Sequence, residues 1–206
     1  MKIILVRHGE TVFNVENRYQ GVKDSPLTEK GVKEAKLVAK ELSKEKVGVF
    51  CSSPLGRAVA TAKEIAKFHK IKPILRDKLK EINYGEYEGK SLKEIDEKNP
   101  EWKIERITNR YYAKPPKGES YAELEERLKP IIEEILGREG TVLIVAHANV
   151  NKAIIRLILN LGKEEINYIC QPNNCIYVIE KKDEGYEISY KLAGEGIEGK
   201  GYLEIE

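Results

Sequence analysis

The order of apolar and polar residues changes its period several times along the chain. Short apolar runs at 2–6, 47–51, 73–75 and 141–146 predict the strands of a sheet that is covered on both faces. The segments between these runs repeat apolar residues every three or four positions, which predicts amphipathic helices. The helices are expected to begin near Thr28, Pro54, Ser91, Ser120 and Asn151.

Local signals support several of these helix starts. Ser91 with Glu94, and Ser120 with Glu123, have the spacing of a capping box, in which each side chain bonds the other residue's backbone N–H. Pro54 suits the first turn of its helix, because no backbone N–H is needed there. Strands that alternate with such helices predict an α/β fold, with a mainly parallel sheet between two helical layers.

Three further stretches complete the predicted organisation. Residues 175–181 and 186–192 predict an antiparallel hairpin, and residues 85–120 read as a partly helical excursion from the sheet. The glycine-rich residues 194–201 are expected to be loosely held. No internal repeat or linker is visible, so we expect one domain spanning residues 1–206.

Composition narrows the class of protein. A hydrophobic content of 41% supports a core, and 36 basic against 34 acidic residues argues against a nucleic-acid partner. Neither a signal peptide nor an apolar run of about 18 residues is present, so no membrane partner is expected. Cys51, Cys170 and Cys175 form no C-x-x-C pair, which favours a reducing cytoplasm. The 34% of charged residues is typical of a thermophile's surface.

Charged and imidazole side chains lie just beyond the carboxyl ends of several predicted strands. Arg7 and His8 follow the first strand, Arg57 lies in the first turn of the helix after the second, and His147 follows the last. Ligands of open parallel sheets bind beyond the carboxyl ends of the strands, so these four groups are expected to converge. Taken singly, each could be an ordinary capping or surface residue.

Convergence of these four groups favours an anion site. Two arginines and two histidines would repel one another in a partly desolvated cleft, and a phosphate would relieve that repulsion. A neutral imidazole is also a nucleophile toward phosphorus, and Gly9 lets the backbone beside His8 pack closely. The sequence therefore predicts covalent phosphoryl transfer to His8, with Arg7, Arg57 and His147 stabilising the transferred charge. No metal-ligand spacing or cofactor motif is present, so neither is expected.

The leaving alcohol needs a proton donor, and the segment after the third strand supplies carboxyl groups. Glu81 is the predicted general acid, because it lies nearest to the end of that strand. Glu86 and Glu88 are equally well read as surface charges. A dianionic phosphate nearby should raise the pKa of the donor and so help it to hold its proton.

These motifs resemble those of the histidine phosphatase superfamily, also called phosphoglycerate mutase-like. The resemblance rests on several segments, in the expected order: Leu5-Val6-Arg7-His8-Gly9-Glu10-Thr11 with Asn14, Tyr19-Gln20-Gly21, Asp24 to Gly31, Ser52 to Ala62, Glu81 to Gly89, and the strand ending at His147.

The resemblance implies a three-layer α/β/α sandwich and a phosphohistidine intermediate on His8, with Glu81 as the proton donor. It also implies that Asn14, Gln20, Gly21 and the backbone N–H of Ala148 contact phosphate or substrate. Glu10 and Thr11 would brace the loop. One departure is Ala148, which stands where many members have glycine and would narrow the pocket.

The stretch from Glu81 to Gly89 is similar to the E-x-x-x-G-x-W-E-G pattern of broad-specificity and α-ribazole phosphatases, with Tyr87 in the tryptophan position. This similarity favours a phosphatase acting on a small phosphorylated metabolite. A cofactor-dependent phosphoglycerate mutase and a non-catalytic phospho-ligand binding protein are the alternatives. The chain is expected to be a monomer or a homodimer.

The predicted excursion carries residues that could reach a leaving group. Packing of the excursion onto the domain is the favoured interpretation of Trp102, and Arg106 and Arg110, one helical turn apart, equally well form a solvated face. The candidates are Trp102, Arg106, Arg110, Tyr111 and Tyr112.

Overall fold

The computed structural model describes residues 1–204 and is built around a mixed sheet. Its strands are β1 (Lys2–Arg7), β2 (Val47–Ser52), β3 (Ile74–Leu75), β4 (Thr141–Ala146), β5 (Ile169–Cys170), β6 (Cys175–Lys182), β7 (Gly185–Leu192), β8 (Ile197–Lys200) and β9 (Leu203–Glu204). Its helices are α1 (Val12–Val15), α2 (Glu29–Leu42), α3 (Gly56–Ala66), α4 (Leu92–Lys98), α5 (Pro100–Thr108), α6 (Tyr121–Leu136) and α7 (Ala148–Leu159).

Within the described residues, the main sheet has the order β3-β2-β4-β1-β6-β7-β8. β1, β2, β3 and β4 pair in parallel, whereas β6, β7 and β8 extend the sheet through antiparallel pairs. The predicted terminal hairpin is therefore confirmed as β6 and β7, and β6 pairs with β1 of the same chain. β5 and β9 pair separately as a two-stranded sheet.

Alternate residues of the central strands pack on opposite helical layers. Ile3 and Leu5 of β1 face α6 and α7, whereas Ile4 and Val6 face α2 and α3. This period of two places an apolar side chain on both faces of the strand, so that the sheet lies between two helical layers. The predicted α/β/α sandwich is confirmed.

Several predicted boundaries needed correction. Pro54 precedes α3, because Leu55 is the N-cap residue, so the expected place of Pro54 within the helix was wrong. α7 begins at Ala148, three residues earlier than expected. The tail is not loosely held, because Ile197–Lys200 adds β8 to the edge of the main sheet.

Residues of the excursion line a cavity together with Tyr19, Tyr84 and Tyr121. The short helix α4 of the excursion begins at Leu92 and is capped by Ser91, whose capping box with Glu94 is confirmed. The next helix, α5, begins at Pro100. Trp102 packs on Tyr87 with ring centroids 5.3 Å apart, so the packing interpretation of Trp102 is confirmed. Within residues 1–204, no helix has both the length and the apolar composition needed to cross a membrane.

Candidate active site

His8 is the first residue beyond β1, and its ring is held in one orientation. Its Nδ1 atom lies 2.9 Å from the carbonyl oxygen of Gly9. A carbonyl oxygen only accepts hydrogen bonds, so Nδ1 carries the ring proton and Nε2 keeps its lone pair. The side chain is buried, and its backbone N–H donates to Ala146 of β4 at 3.2 Å. β1 and β4 together therefore fix the base of the ring.

Gly9 is required by a close approach of two backbone segments. A Cβ atom at Gly9 would lie 2.2 Å from the carbonyl oxygen of Gly31. The N–H of Gly9 donates to Thr61 Oγ1 at 3.1 Å, and Thr61 lies on α3. The loop after His8 is thereby packed between α2 and α3. Beside it, Glu10 accepts a hydrogen bond from Thr28 Oγ1 at 2.9 Å, in agreement with its expected bracing role.

Arg57 contributes a buried guanidinium in the first turn of α3. Its Nη2 donates to the carbonyl oxygen of Gly21 at 2.7 Å and its Nη1 to that of Lys23 at 2.8 Å. Asp24 is an additional partner, with 3.2 Å between Oδ1 and Nη1. These bonds hold the guanidinium so that Nε donates to His8 Nε2 at 3.3 Å.

The loop that holds Arg57 is itself held by Glu88. The carboxylate of Glu88 accepts from the N–H groups of Val22 at 2.8 Å, Lys23 at 3.0 Å and Tyr84 at 3.1 Å. Gly21, with φ of +56°, lies directly against this side chain. Glu88 is buried, so the interpretation of this residue as a surface charge was wrong.

His147 is the N-cap residue of α7 and faces His8 across the site. The two ring centroids are 5.2 Å apart. Nε2 of His147 lies 2.8 Å from Ser53 Oγ, whereas its Nδ1 is buried without a hydrogen-bond partner. The ring therefore has one nitrogen available for a ligand.

Arg7 completes the positive cluster from the end of β1. Its Nη1 donates to the carbonyl oxygen of Gln171 at 2.8 Å, and its Nε is buried without a partner. Gln171 is fixed in turn by Asn151 on α7, whose Nδ2 donates to Gln171 Oε1 at 2.9 Å. A polar network beneath the sheet edge thus orients Arg7.

Burial and like charges determine the protonation of the two histidines. The pKa of His8 falls well below 6.5, chiefly because the ring is buried and then because Arg7 and Arg57 are positive. Burial also lowers the pKa of His147 well below 6.5, and Arg57 and His8 add to this effect. Both rings are therefore neutral near neutral pH, while both arginines keep their charge.

Glu81 lies at the rim of the site and is also buried. Its Oε1 accepts from the N–H of Ile82 at 2.9 Å, and its Oε2 accepts from Asn149 N at 3.4 Å and Asn149 Nδ2 at 3.3 Å. Burial raises the pKa of Glu81, although the Ile82 bond and the charge of Arg57 oppose the rise. The shift favours a carboxyl group that retains its proton.

The structure brings most of the predicted site residues together. Gln20 is buried, with Oε1 unpartnered, next to Gly21 in the loop that holds Arg57. Ala148 opens α7, where backbone N–H groups of the first turn point outward. Asn14 differs, because its Oδ1 accepts from Thr11 N and Thr11 Oγ1, both at 3.0 Å, in the capping box of α1. Only its amide nitrogen can then serve a ligand.

Several functional contacts were not foreseen from the sequence. Ser53, Glu88 and Asn149 act through bonds to groups distant in sequence. The polarity of Ser53 and Asn149 beside predicted strand ends, and the place of Glu88 in the carboxyl-rich segment after Glu81, are the only signals that could have drawn attention to these contacts. Across the described part of the chain, His, Cys, Asp and Glu side chains form no group of three or more that could hold a metal ion.

A model of the histidine phosphatase superfamily (branch 1) matches residues 3–191. The chain belongs to this superfamily. Phosphoserine phosphatase 1 of Hydrogenobacter thermophilus is 35% identical over 195 residues, which cover 93% of this chain and 92% of that protein. A probable phosphoglycerate mutase GpmB of Yersinia pestis is 32% identical over 163 residues, or 78% of this chain and 76% of the relative.

Solved structures agree with the fold. The Bacillus stearothermophilus YhfR structure has a TM-score of 0.81 at 29% identity, covering 95% of this chain and 96% of that chain. The α-ribazole phosphatase of Shigella flexneri has a TM-score of 0.84 at 22% identity over 100% of both chains. The superfamily and the relatives named as phosphatases identify this chain as a phosphomonoester hydrolase.

The first testable prediction concerns protonation. In the ligand-free protein, we expect His8 and His147 to be neutral at about pH 6, where an ordinary imidazole is largely protonated. The lowered pKa values require this, because the rings charge only below them. Nitrogen-15 NMR of the ring atoms would measure it, with His8→Asn and His147→Asn assigning the signals. A protonated ring at either position, or a proton on Nε2 of His8, would contradict the assignment.

Proposed function

We propose that the chain hydrolyses small phosphomonoesters through a phosphohistidine formed at Nε2 of His8. The single observation that supports this most strongly is the orientation of the ring. Nδ1 is committed to the Gly9 carbonyl, which leaves the Nε2 lone pair 3.3 Å from the Arg57 Nε donor. A neutral ring in this tautomer is the reactive form of a histidine nucleophile.

In the first step, Nε2 of His8 attacks phosphorus as the ester P–O bond breaks. Arg57 and Arg7 stabilise the phosphoryl oxygens, with His147 Nδ1 and the Ala148 N–H as further contacts. The Nε–H of Arg57, which bonds His8 in the ligand-free protein, then turns to a phosphoryl oxygen. Gln20 and the amide nitrogen of Asn14 complete the binding of the phosphate.

Glu81 transfers its proton to the departing alkoxide in the same step. In the second step, the resulting carboxylate removes a proton from water as the water oxygen attacks phosphorus. The N–P bond breaks, inorganic phosphate leaves, and both His8 and Glu81 return to their starting states. The raised pKa of Glu81 matches this exchange of roles, since it brings the pKa closer to neutral pH. The positive cluster supplies the charge that a metal ion would otherwise supply.

The proposed substrate class is small phosphorylated metabolites, and two candidates have support. The relative from Hydrogenobacter thermophilus makes phosphoserine a first candidate, and the pattern from Glu81 to Gly89 makes α-ribazole phosphate a second. Composition continues to favour the cytoplasm of a thermophile. We also propose that the chain forms a single domain and acts as a monomer or a homodimer.

The nucleophile is tested by replacing His8. We expect His8→Ala to lower hydrolysis of p-nitrophenyl phosphate in the presence of EDTA by at least about a thousandfold, because the covalent step is lost. Release of p-nitrophenol measures the rate, and His69→Ala is the matched control away from the site. The proposal is falsified if the wild-type protein shows no turnover in EDTA, or if His8→Ala leaves the rate unchanged.

The proton donor is tested by leaving-group dependence. We expect Glu81→Gln to reduce kcat/KM for an alkyl phosphate by about 10²–10⁴-fold, and for p-nitrophenyl phosphate far less, since p-nitrophenolate leaves without a proton. Glu86→Gln is the control, because Glu86 lies at the surface and pairs with Lys117 at 2.8 Å. Equal losses on both esters would remove Glu81 from the role of acid.

A mutase activity is the second candidate, favoured by the relative from Yersinia pestis. The phosphoenzyme would then pass its phosphoryl group to a bound phosphoglycerate instead of water. Phosphorus-31 NMR of 3-phosphoglycerate with catalytic bisphosphate distinguishes the two outcomes. We expect inorganic phosphate to accumulate faster than 2-phosphoglycerate; the reverse order would favour the mutase.

A further inference from the structure

Ser53 contacts one ring nitrogen of His147, and the register of the sheet brings the two residues together. β2 and β4 pair in parallel with Ser52 opposite Val145, and the N–H of Ser53 donates to the carbonyl oxygen of Val145 at 2.9 Å. Ser53 therefore lies beside the end of β4, just before His147. Both side chains are fully buried, so the 2.8 Å contact between Ser53 Oγ and His147 Nε2 is shielded from water.

The hydroxyl group of Ser53 has two hydrogen-bonded neighbours within residues 1–204. The N–H of Leu55, the N-cap residue of α3, donates to Oγ at 3.3 Å, and His147 Nε2 lies 2.8 Å from the same oxygen. A hydroxyl group accepts up to two hydrogen bonds but donates only one. Because the N–H of Leu55 can only donate, His147 Nε2 is the neighbour that can accept the proton of Ser53 Oγ.

Two arrangements of protons fit this contact, and they differ in what they leave unpaired. If Nε2 of neutral His147 carried the ring proton, Ser53 Oγ would accept twice, and its own buried hydroxyl hydrogen would have no acceptor. Nδ1 would then present a lone pair to the acceptor oxygens of a phosphate. If Ser53 donates to Nε2 instead, its hydroxyl group is satisfied and Nδ1 carries the ring proton. The second arrangement avoids the free-energy cost of an unpaired buried hydroxyl group.

The second arrangement makes Nδ1 of His147 a donor for the ligand. Nδ1 of His147 and Nε of Arg7 are both buried without a hydrogen-bond partner in the ligand-free protein. The two residues are close in the sheet, because Arg7 pairs with Ala146, which directly precedes His147. A phosphate has only acceptor oxygens to offer at neutral pH, so its binding would pair both donors. His147 remains neutral while it donates, because burial and the charge of Arg57 lower its pKa.

We propose that Ser53 is a positioning residue that fixes His147 as the tautomer with its proton on Nδ1, available to the transferred phosphoryl group. This inference rests on the proposed phosphatase function and adds a residue to the same site. Ser53 acts through His147 and not on the phosphoryl group itself. The two histidines then share one tautomer but use different nitrogens: His8 presents the lone pair of Nε2, and His147 presents the proton of Nδ1.

The experiment reads the ring proton directly and needs no turnover. Nitrogen-15 NMR near neutral pH separates a protonated ring nitrogen from one with a lone pair, and His147→Asn assigns the signals. For the wild-type protein, we expect the proton on Nδ1 of His147. Ser53→Ala removes the donor to Nε2, so the share of this tautomer should fall. The affinity for inorganic phosphate, measured by titration calorimetry, should fall with it by about 10-fold, the loss typical of one charge-assisted hydrogen bond.

Two further variants separate the hydroxyl group of Ser53 from its packing. Ser53→Thr keeps a hydroxyl group and should restore the tautomer, with a phosphate affinity within about threefold of the wild-type value. Ser52→Ala removes a neighbouring buried hydroxyl group, which donates to the carbonyl oxygen of Ser53 at 2.9 Å, and should leave the proton on Nδ1 of His147. Thermal unfolding identifies a variant that fails to fold, in which case the wild-type spectrum decides.

A proton on Nε2 of His147 in the wild-type protein overturns the proposal. Ser53→Ala also overturns it if phosphate affinity falls while the proton stays on Nδ1, because Ser53 would then serve only packing. Unchanged phosphate affinity in Ser53→Ala has the same meaning for the proposal. A wild-type protein that shows the expected ring and binds phosphate, yet does not hydrolyse p-nitrophenyl phosphate, rejects the phosphatase function and supports the assignment of Ser53.

Discussion

The structure depends most on how the guanidinium of Arg57 is held. A buried cation normally requires an anionic partner. The side chain of Asp24 is partly exposed and supplies only one carboxylate oxygen to the guanidinium. The closer acceptors are the carbonyls of Gly21 and Lys23. These carbonyls are positioned by Glu88, which binds the same loop through backbone N–H groups. Because carbonyl dipoles offset only part of the charge, the site remains positive enough to attract a phosphate.

Burial and the same positive charge keep His8, the proposed nucleophile, neutral. A buried imidazole beside Arg7 and Arg57 loses its proton easily, so the proposed mechanism requires no separate base for His8. Glu81 is shifted in the opposite direction, because for a carboxyl group burial favours the neutral form. One desolvated site thus lowers the pKa of an imidazole and raises the pKa of a carboxyl group, which are the directions that the proposed nucleophile and the proposed acid require.

The sequence predicted the parts of this structure that depend on local order. The apolar run of β4, the capping boxes at Ser91 and Ser120, and the residues directly after β1 and β4 could be identified, because strand ends of a parallel sheet meet at one edge. The tail strand β8 was missed, since it has little apolar periodicity and forms only by pairing with β7. Glu88 was also missed, because its role consists of bonds to a loop more than sixty residues away.

The small sheet of β5 and β9 links the periphery of the molecule to its chemistry. Cys170 pairs with Leu203, and the N–H of Leu203 donates to the hydroxyl of Tyr177 at 3.1 Å. Gln171, directly after β5, offers the carbonyl that Arg7 binds. The position of the Arg7 guanidinium therefore depends on β9, which lies more than thirty residues beyond Gln171 in the chain. Any strain on that strand would therefore reach the segment whose carbonyl holds Arg7, the arginine that we propose to bind phosphate.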